Sequence, residues 1–217
     1  MNRYSSGEAI ILENRRIGEI HRGVSLFTPD SGVVRAIAYG AYSHKGSLRG
    51  VTVPFVHGTV WLYHEPARSR IKLTDIDVIH MFHEIREDLL RFYSAGLWSE
   101  VVLRSFGGGE ATAELFALFR DALEMLCSCG EAATRRLSAQ FQLRFLALAG
   151  APVDPEHIRK PAIRRFVEAA YGSDLYEAIR IAIDDEEMRG IQRALYRRLE
   201  RTVEGELRTV RSAGGLL

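Results

Sequence analysis

The residues in this sequence that could do chemistry are few. Cys127 and Cys129, His80 and His83, and the acidic run Asp184-Asp185-Glu186-Glu187 are the groups able to hold a metal or move a proton. A structural zinc site needs four ligands at usable spacing. The cysteines here are two apart rather than three, and on a helix that spacing turns their side chains to different faces. The acidic run stands at a helix start, where carboxylates cap backbone N–H groups and suit the macrodipole. Gly107-Gly108-Gly109-Glu110 lacks the Lys-Ser or Lys-Thr of a phosphate-binding loop and reads as a helix stop. There is no Gly-x-Ser-x-Gly elbow. The expectation is a protein that is not an enzyme, with no metal and no cofactor.

Binding chemistry is better represented. Between Val33 and Lys72 the cations are Arg35, Lys45, Arg49, Arg68, Arg70 and Lys72, and the one acid is Glu65. Tyr39, Tyr42, Trp61 and Tyr63 are interleaved with them. Cations for phosphate oxygens and rings for bases are how single strands are held without sequence readout. The candidate contacts are Arg35, Tyr39, Tyr42, Lys45, Arg49 and Arg70. Tyr39 and Tyr42 flank Gly40 at a strand end and are expected to be exposed, whereas Trp61 sits among apolar neighbours and reads as core. A second basic cluster, including Arg189, Arg193, Arg197, Arg198 and Arg201, lies beside the apolar stripe Ile191, Leu195, Leu199, Val203 and Leu207.

Two kinds of element must position these groups. Up to about residue 79 the pattern is β: short runs at 8–12, 21–28, 33–38, 51–56, 60–64 and 70–78, punctuated by turns such as Thr28-Pro29-Asp30-Ser31-Gly32. The alternation slips phase at Thr74-Asp75. Five or six short strands fit an OB-type barrel. From His80 the period becomes helical: one stretch runs to Leu103, a second follows Thr112 as a cap, and a third follows Thr134 as a cap and ends at Gly150. Three more helices are expected at 163–170, 175–183 and 187–210, after a proline-rich loop at 152–161, with a loose tail from Ser212. The fold class is α+β: an N-terminal OB-fold barrel (1–79) and an all-helical C-terminal domain (80–217).

Composition agrees with an ordinary folded chain: 47% hydrophobic, 26% charged, net charge +1. A balanced total excludes a protein basic throughout but leaves room for a local patch. Two cysteines too close to pair, no apolar leader and no run of about 18 apolar residues predict a cytoplasmic protein without a membrane span.

The order of features resembles the RecO family of bacterial recombination mediators. Glu8-Ala9-Ile10-Ile11-Leu12, Gly18-Glu19, Leu26-Phe27-Thr28 and Gly32 are similar to the opening of that family's OB-fold. Ala36-Ile37-Ala38-Tyr39-Gly40-Ala41 with Lys45 and Arg49 resembles its basic strand and loop, and Pro54-Phe55 fits its next strand. Glu114-Leu115-Phe116 and the stretch Phe141 to Pro152 resemble helices of its C-terminal domain. One departure is plain: many members carry a four-cysteine zinc module after the Gly-x-Pro element, and here 153–165 has no cysteine. The resemblance implies binding of single- and double-stranded DNA, strand annealing, and contact with RecR and with the C-terminal tail of the single-stranded-DNA-binding protein SSB. It also implies help in loading the RecA recombinase on SSB-coated DNA, and association with the nucleoid. An SSB tail would need an apolar pocket with cations, for which Arg193, Arg197 and Arg201 are the candidates. The alternatives are an OB-fold scaffold that binds only protein and an RNA-binding OB protein.

Overall fold

The computed structural model describes residues 3–43, 46–66, 70–105, 109 and 111–217. Five strands, β1 (Tyr4–Ile17), β2 (His21–Thr28), β3 (Gly32–Ala38), β4 (His57–Glu65) and β5 (Arg70–His80), close into a barrel in the order β1-β2-β3-β5-β4. Neighbours are antiparallel except β3 and β5, which meet in parallel at Ile37 and Lys72. This is an OB-fold. Alternation drives it: Ala9, Ile11, Val24, Leu26, Ala36, Ala38, Val60, Leu62, Leu73 and Ile76 point inward. The small side chains Ala9, Ala36 and Ala38 let the barrel stay narrow. The phase slip at Thr74-Asp75 is a β-bulge, because Trp61 pairs with Asp75 and Leu62 with Leu73, which leaves Thr74 over.

One expected strand is absent. Residues 51–56 are turns, not ladder. Val56 belongs to the barrel core, and Val51 and Val53 pack against that core from a loop. Phe55 is buried at φ 72, a conformation no strand contains.

The chain groups into two compact units, 1–82 with 106–120 and 83–105 with 121–217. The division therefore differs from a single cut after residue 79. β5 continues to His80, and the first half of α3 (Thr112–Ser128) belongs with the barrel. The reason is Phe27, which faces out from β2 yet is fully buried, with Phe116 and Phe119 of α3 at 5.5 and 6.1 Å between ring centroids.

The second unit is helical: α1 (His83–Glu87), α2 (Leu89–Ser105), the rest of α3, α4 (Glu131–Leu148), α5 (Pro161–Gly172), α6 (Leu175–Ala178), α7 (Asp185–Thr202) and α8 (Arg208–Ser212). Trp98 on α2 stacks on Phe141 of α4 at 4.7 Å, both fully buried. Several boundaries differ from expectation, among them that of α6, which ends at Ala178 rather than at residue 183. The first helical stretch is split at Asp88, whose carboxylate accepts the Arg91 N–H and so starts a new helix. Thr112 is the first residue of α3 rather than its cap. α4 begins at Glu131 with Gly130 as its cap, so Thr134 is a buried first-turn residue. The last helix stops at Thr202, because Glu204 takes φ 54, and resumes as the short α8. The segment from Ser212 is held rather than loose: Ala213 is buried and Arg135 donates to the Leu216 carbonyl at 3.0 Å.

The proline-rich segment after α4 is an ordered loop with one 3-10 turn at Pro155–His157. Gly150 takes φ 75 to leave the helix. Arg198 of α7 then donates to the carbonyls of Ala151 and Pro152. The Tyr171 hydroxyl accepts from the Val153 N–H at 3.0 Å and faces its carbonyl at 3.2 Å. Arg164 donates twice to the Ile158 carbonyl.

Candidate nucleic-acid interface

The outer face of β1, β2, β3 and β5 forms a groove. Its floor is Gly23 and Ser25 of β2, and its walls carry Arg15 of β1, Arg35 of β3 and Arg70 of β5. All three arginines are exposed. Arg35 and Arg70 stand two residues before the parallel pair Ile37 and Lys72, so the crossover that defines the barrel brings them side by side. A Cβ at Gly23 would lie 2.9 Å from Ile17 Cδ1 and 3.2 Å from Arg15 Cγ, so a side chain there would press on the two residues that flank the groove. The acid in the groove, Glu13, is engaged by the Ser25 hydroxyl at 3.0 Å.

Two of the predicted contacts, Arg35 and Arg70, thus share one groove, and Tyr39 lies next to it. Tyr39 lines a neighbouring depression with Gly40, Ser43 and Lys72 and is 38% exposed. Tyr42 does not join them. Its ring lies 4.4 Å from the guanidinium of Arg22 and 5.4 Å from that of Arg16. Arg22 is buried on the inner side of β2 and donates to the Thr52 carbonyl, the Thr52 hydroxyl and the Arg49 carbonyl at 2.8, 2.9 and 3.2 Å. Tyr42 therefore packs on the clamp that holds residues 49–52 to the barrel. Arg49 is exposed on that segment, and Lys45 lies outside the described residues, as does Arg68. Trp61, expected in the core, is 40% exposed, because β4 turns Val60 and Leu62 inward and so turns Trp61 out. Arg15 was missed by the sequence reading because it lies outside the basic window and beyond the run 8–12; only the register of β1 against β2 sets it beside Gly23.

The helical unit has its own groove. Leu143, Val153, Ile158, Ile163, Val167, Ile191 and Leu195 give it an apolar lining, with Ala194, Arg197, Arg198 and Arg201 also at its walls. Arg198 is committed to the loop carbonyls. Arg197 and Arg201 are exposed at the groove, one turn apart on α7. Arg193, a turn earlier, is exposed but does not line it.

Several of the groups first singled out for chemistry have structural contacts. The Asp184 carboxylate caps α7, accepting the Glu187 N–H at 2.7 Å. His80 stacks on Phe82 at 5.2 Å. Cys127 and Cys129 are free thiols at the end of α3, their carbonyls each bonded to Arg91 at 2.9 Å. Burial, and then the carboxylate of Glu84, pushes the Cys127 thiol up to about 11. The thiolate is the reactive form, so alkylation of Cys127 at pH 8 should be about a hundredfold slower than for a thiol of ordinary acidity, rising as pH approaches its own value. Mass spectrometry after timed iodoacetamide treatment checks this; fast labelling at pH 8 would contradict it.

A closed OB-fold barrel with a cationic groove on its outer face, followed by a helical unit, defines an α+β protein of the OB-fold class. The family model described as "Recombination protein O N terminal" matches residues 1–82, and that described as "Recombination protein O C terminal" matches residues 86–157. The chain belongs to the RecO family. Proteins named "DNA repair protein RecO" are similar to it. That of Exiguobacterium sp. is 32% identical over 145 residues, 66% of this chain and 57% of the relative. That of Nostoc punctiforme is 28% identical over 153 residues, 69% of this chain and 50% of the relative. That of Myxococcus xanthus is 33% identical over 150 residues, 69% and 60%. The match thus spans between 50% and 60% of the length of these relatives. Among the described residues no helix is long and apolar enough to cross a membrane.

Proposed function

We propose that this chain is a cytoplasmic, nucleoid-associated mediator of DNA repair and recombination that carries out no chemical step. It binds single- and double-stranded DNA on the barrel, anneals complementary strands, and works with RecR to help RecA load on SSB-coated DNA. The observation that carries this reading is the groove of Arg15, Arg35 and Arg70. Three guanidiniums over a floor of Gly23 and Ser25 neutralise phosphates and lower the repulsion between two approaching strands. The helical groove suits an acidic peptide with an apolar end, the chemistry of an SSB tail: the lining takes the apolar end, and Arg197 and Arg201 take the carboxylates.

Fluorescence polarisation with labelled single-stranded DNA, duplex and RNA tests the reading. Three to four phosphate contacts should make log affinity for a single strand fall by about 2–3 per log unit of salt. A flat salt response with no affinity would leave a scaffold that binds only protein. A clear preference for RNA through 2′-hydroxyl contacts would replace DNA as the ligand.

A further inference from the structure

We propose that the barrel carries a base-stacking track beside the arginine groove, and that this track takes an unpaired nucleic-acid strand and not a duplex. The proposal rests on the nucleic-acid reading above and divides its ligand between two surfaces. Tyr4 and Tyr63 are cross-strand partners on β1 and β4, their rings 5.0 Å apart. Tyr63 in turn pairs with Lys72 on β5. The Lys72 ammonium lies 5.5 Å from the Tyr63 ring and 5.4 Å from the Tyr39 ring. Tyr39, just after β3, meets His21 at the start of β2 edge-on at 4.8 Å. The result is one row, His21, Tyr39, Lys72, Tyr63 and Tyr4, with a side chain from or beside every strand. It crosses the strands in the hydrogen-bonding direction, in which neighbours are spaced by roughly 4.8 Å.

Rings of this size usually bury their faces, yet Tyr4 is 64% and Tyr39 38% exposed. The charge nearby favours a polyanion. Lys72 sits between two rings of the row, and Arg70, two residues earlier on β5, belongs to the arginine groove. The acid near the row, Glu65, is already paired with Lys72 at 3.6 Å. A duplex keeps its base faces in its own stack and offers only phosphates, which the groove can meet. An unpaired strand offers phosphates and faces together, and only such a strand can use the row. Lys72 joins the two surfaces, since it neighbours the groove and spans the rings.

The molecule contains a reporter for this contact. Trp61 stands two residues before Tyr63 on the same outward side of β4 and is 40% exposed, while the other tryptophan, Trp98, is fully buried in the helical unit. Binding of an oligothymidine to the full chain should quench tryptophan emission, and Trp61→Phe should abolish the quenching. The deciding comparison is a Tyr39→Ala, Tyr63→Ala variant against Tyr39→Phe, Tyr63→Phe, measured with labelled oligothymidine and with a duplex of equal length. The Phe variant should bind both probes as wild type does. The Ala variant should lose at least about tenfold in affinity for the single strand, keep its duplex affinity, and keep the salt slope set by the arginines. Unchanged single-strand affinity in the Ala variant would overturn the proposal, as would a loss equal for both probes. Failure of the underlying reading would look different: wild-type protein with no salt-dependent affinity for either probe, which would remove the track as well.

Discussion

An Arg35→Glu, Arg70→Glu variant is expected to bind single-stranded oligonucleotide several hundredfold more weakly than wild type near 0.1 M salt. Each phosphate contact accounts for about 0.7 in the slope of log affinity against log salt, so losing two lowers affinity roughly 25-fold at that salt relative to 1 M. Reversing the charge adds two repulsions of similar size. The slope itself should flatten, and the difference between variant and wild type should shrink toward 1 M salt. Both side chains are exposed and stand on well-paired strands, so circular dichroism should not change. Undiminished affinity would remove the groove as the DNA site. The loop pair Lys45→Glu, Arg49→Glu is the control: a larger loss there than in the groove would move the interface to the 40–56 loop.

The second large effect concerns the helical groove. Ala194 lines it yet is exposed, so Ala194→Phe fills the groove from outside without disturbing the core. Titration of a labelled SSB tail peptide into this variant should give no detectable binding, with single-strand affinity untouched. Arg197→Glu, Arg201→Glu should be milder, because exposed ion pairs are each worth only about 0.2–1 kcal/mol. Its residual binding should be less sensitive to salt, since the arginines orient the peptide and the apolar lining holds it. Equal peptide binding by wild type and Ala194→Phe would place the tail elsewhere or remove it as a partner.

The range of each interaction decided whether it was legible in the sequence. The run 21–28 was legible as β2 because its alternation is local, and the slip at Thr74-Asp75 was legible as a broken period, which the structure resolves as a bulge. The stretch 51–56 misled because a loop that packs valines against a core has the same β-branched composition as a strand; the positive φ of Phe55 separates the two cases. Trp61 was misplaced although its parity was readable: with Val60 and Leu62 inside, Trp61 has to face out. Tyr42 was expected beside Tyr39, but the buried Arg22 and its bonds to the 49–52 loop are contacts between distant positions. The pairing of Arg35 with Arg70 and the row from His21 to Tyr4 likewise depend on strand order, which no periodicity reveals.

The loop after α4 has a consequence for the conditions under which the helical groove can exist. Val153 and Ile158 line that groove, and their backbone is held by Tyr171 and by the guanidinium of Arg164, while Arg198 fastens Ala151 and Pro152 just before. A guanidinium keeps its proton at any pH a cell reaches. It has no affinity for a chelator, and it stands apart from the oxidation ladder that thiolates climb. A thiolate cage at this place would loosen when metal became scarce or peroxide abundant. Here the wall of the groove should keep its shape through metal starvation and oxidative stress alike.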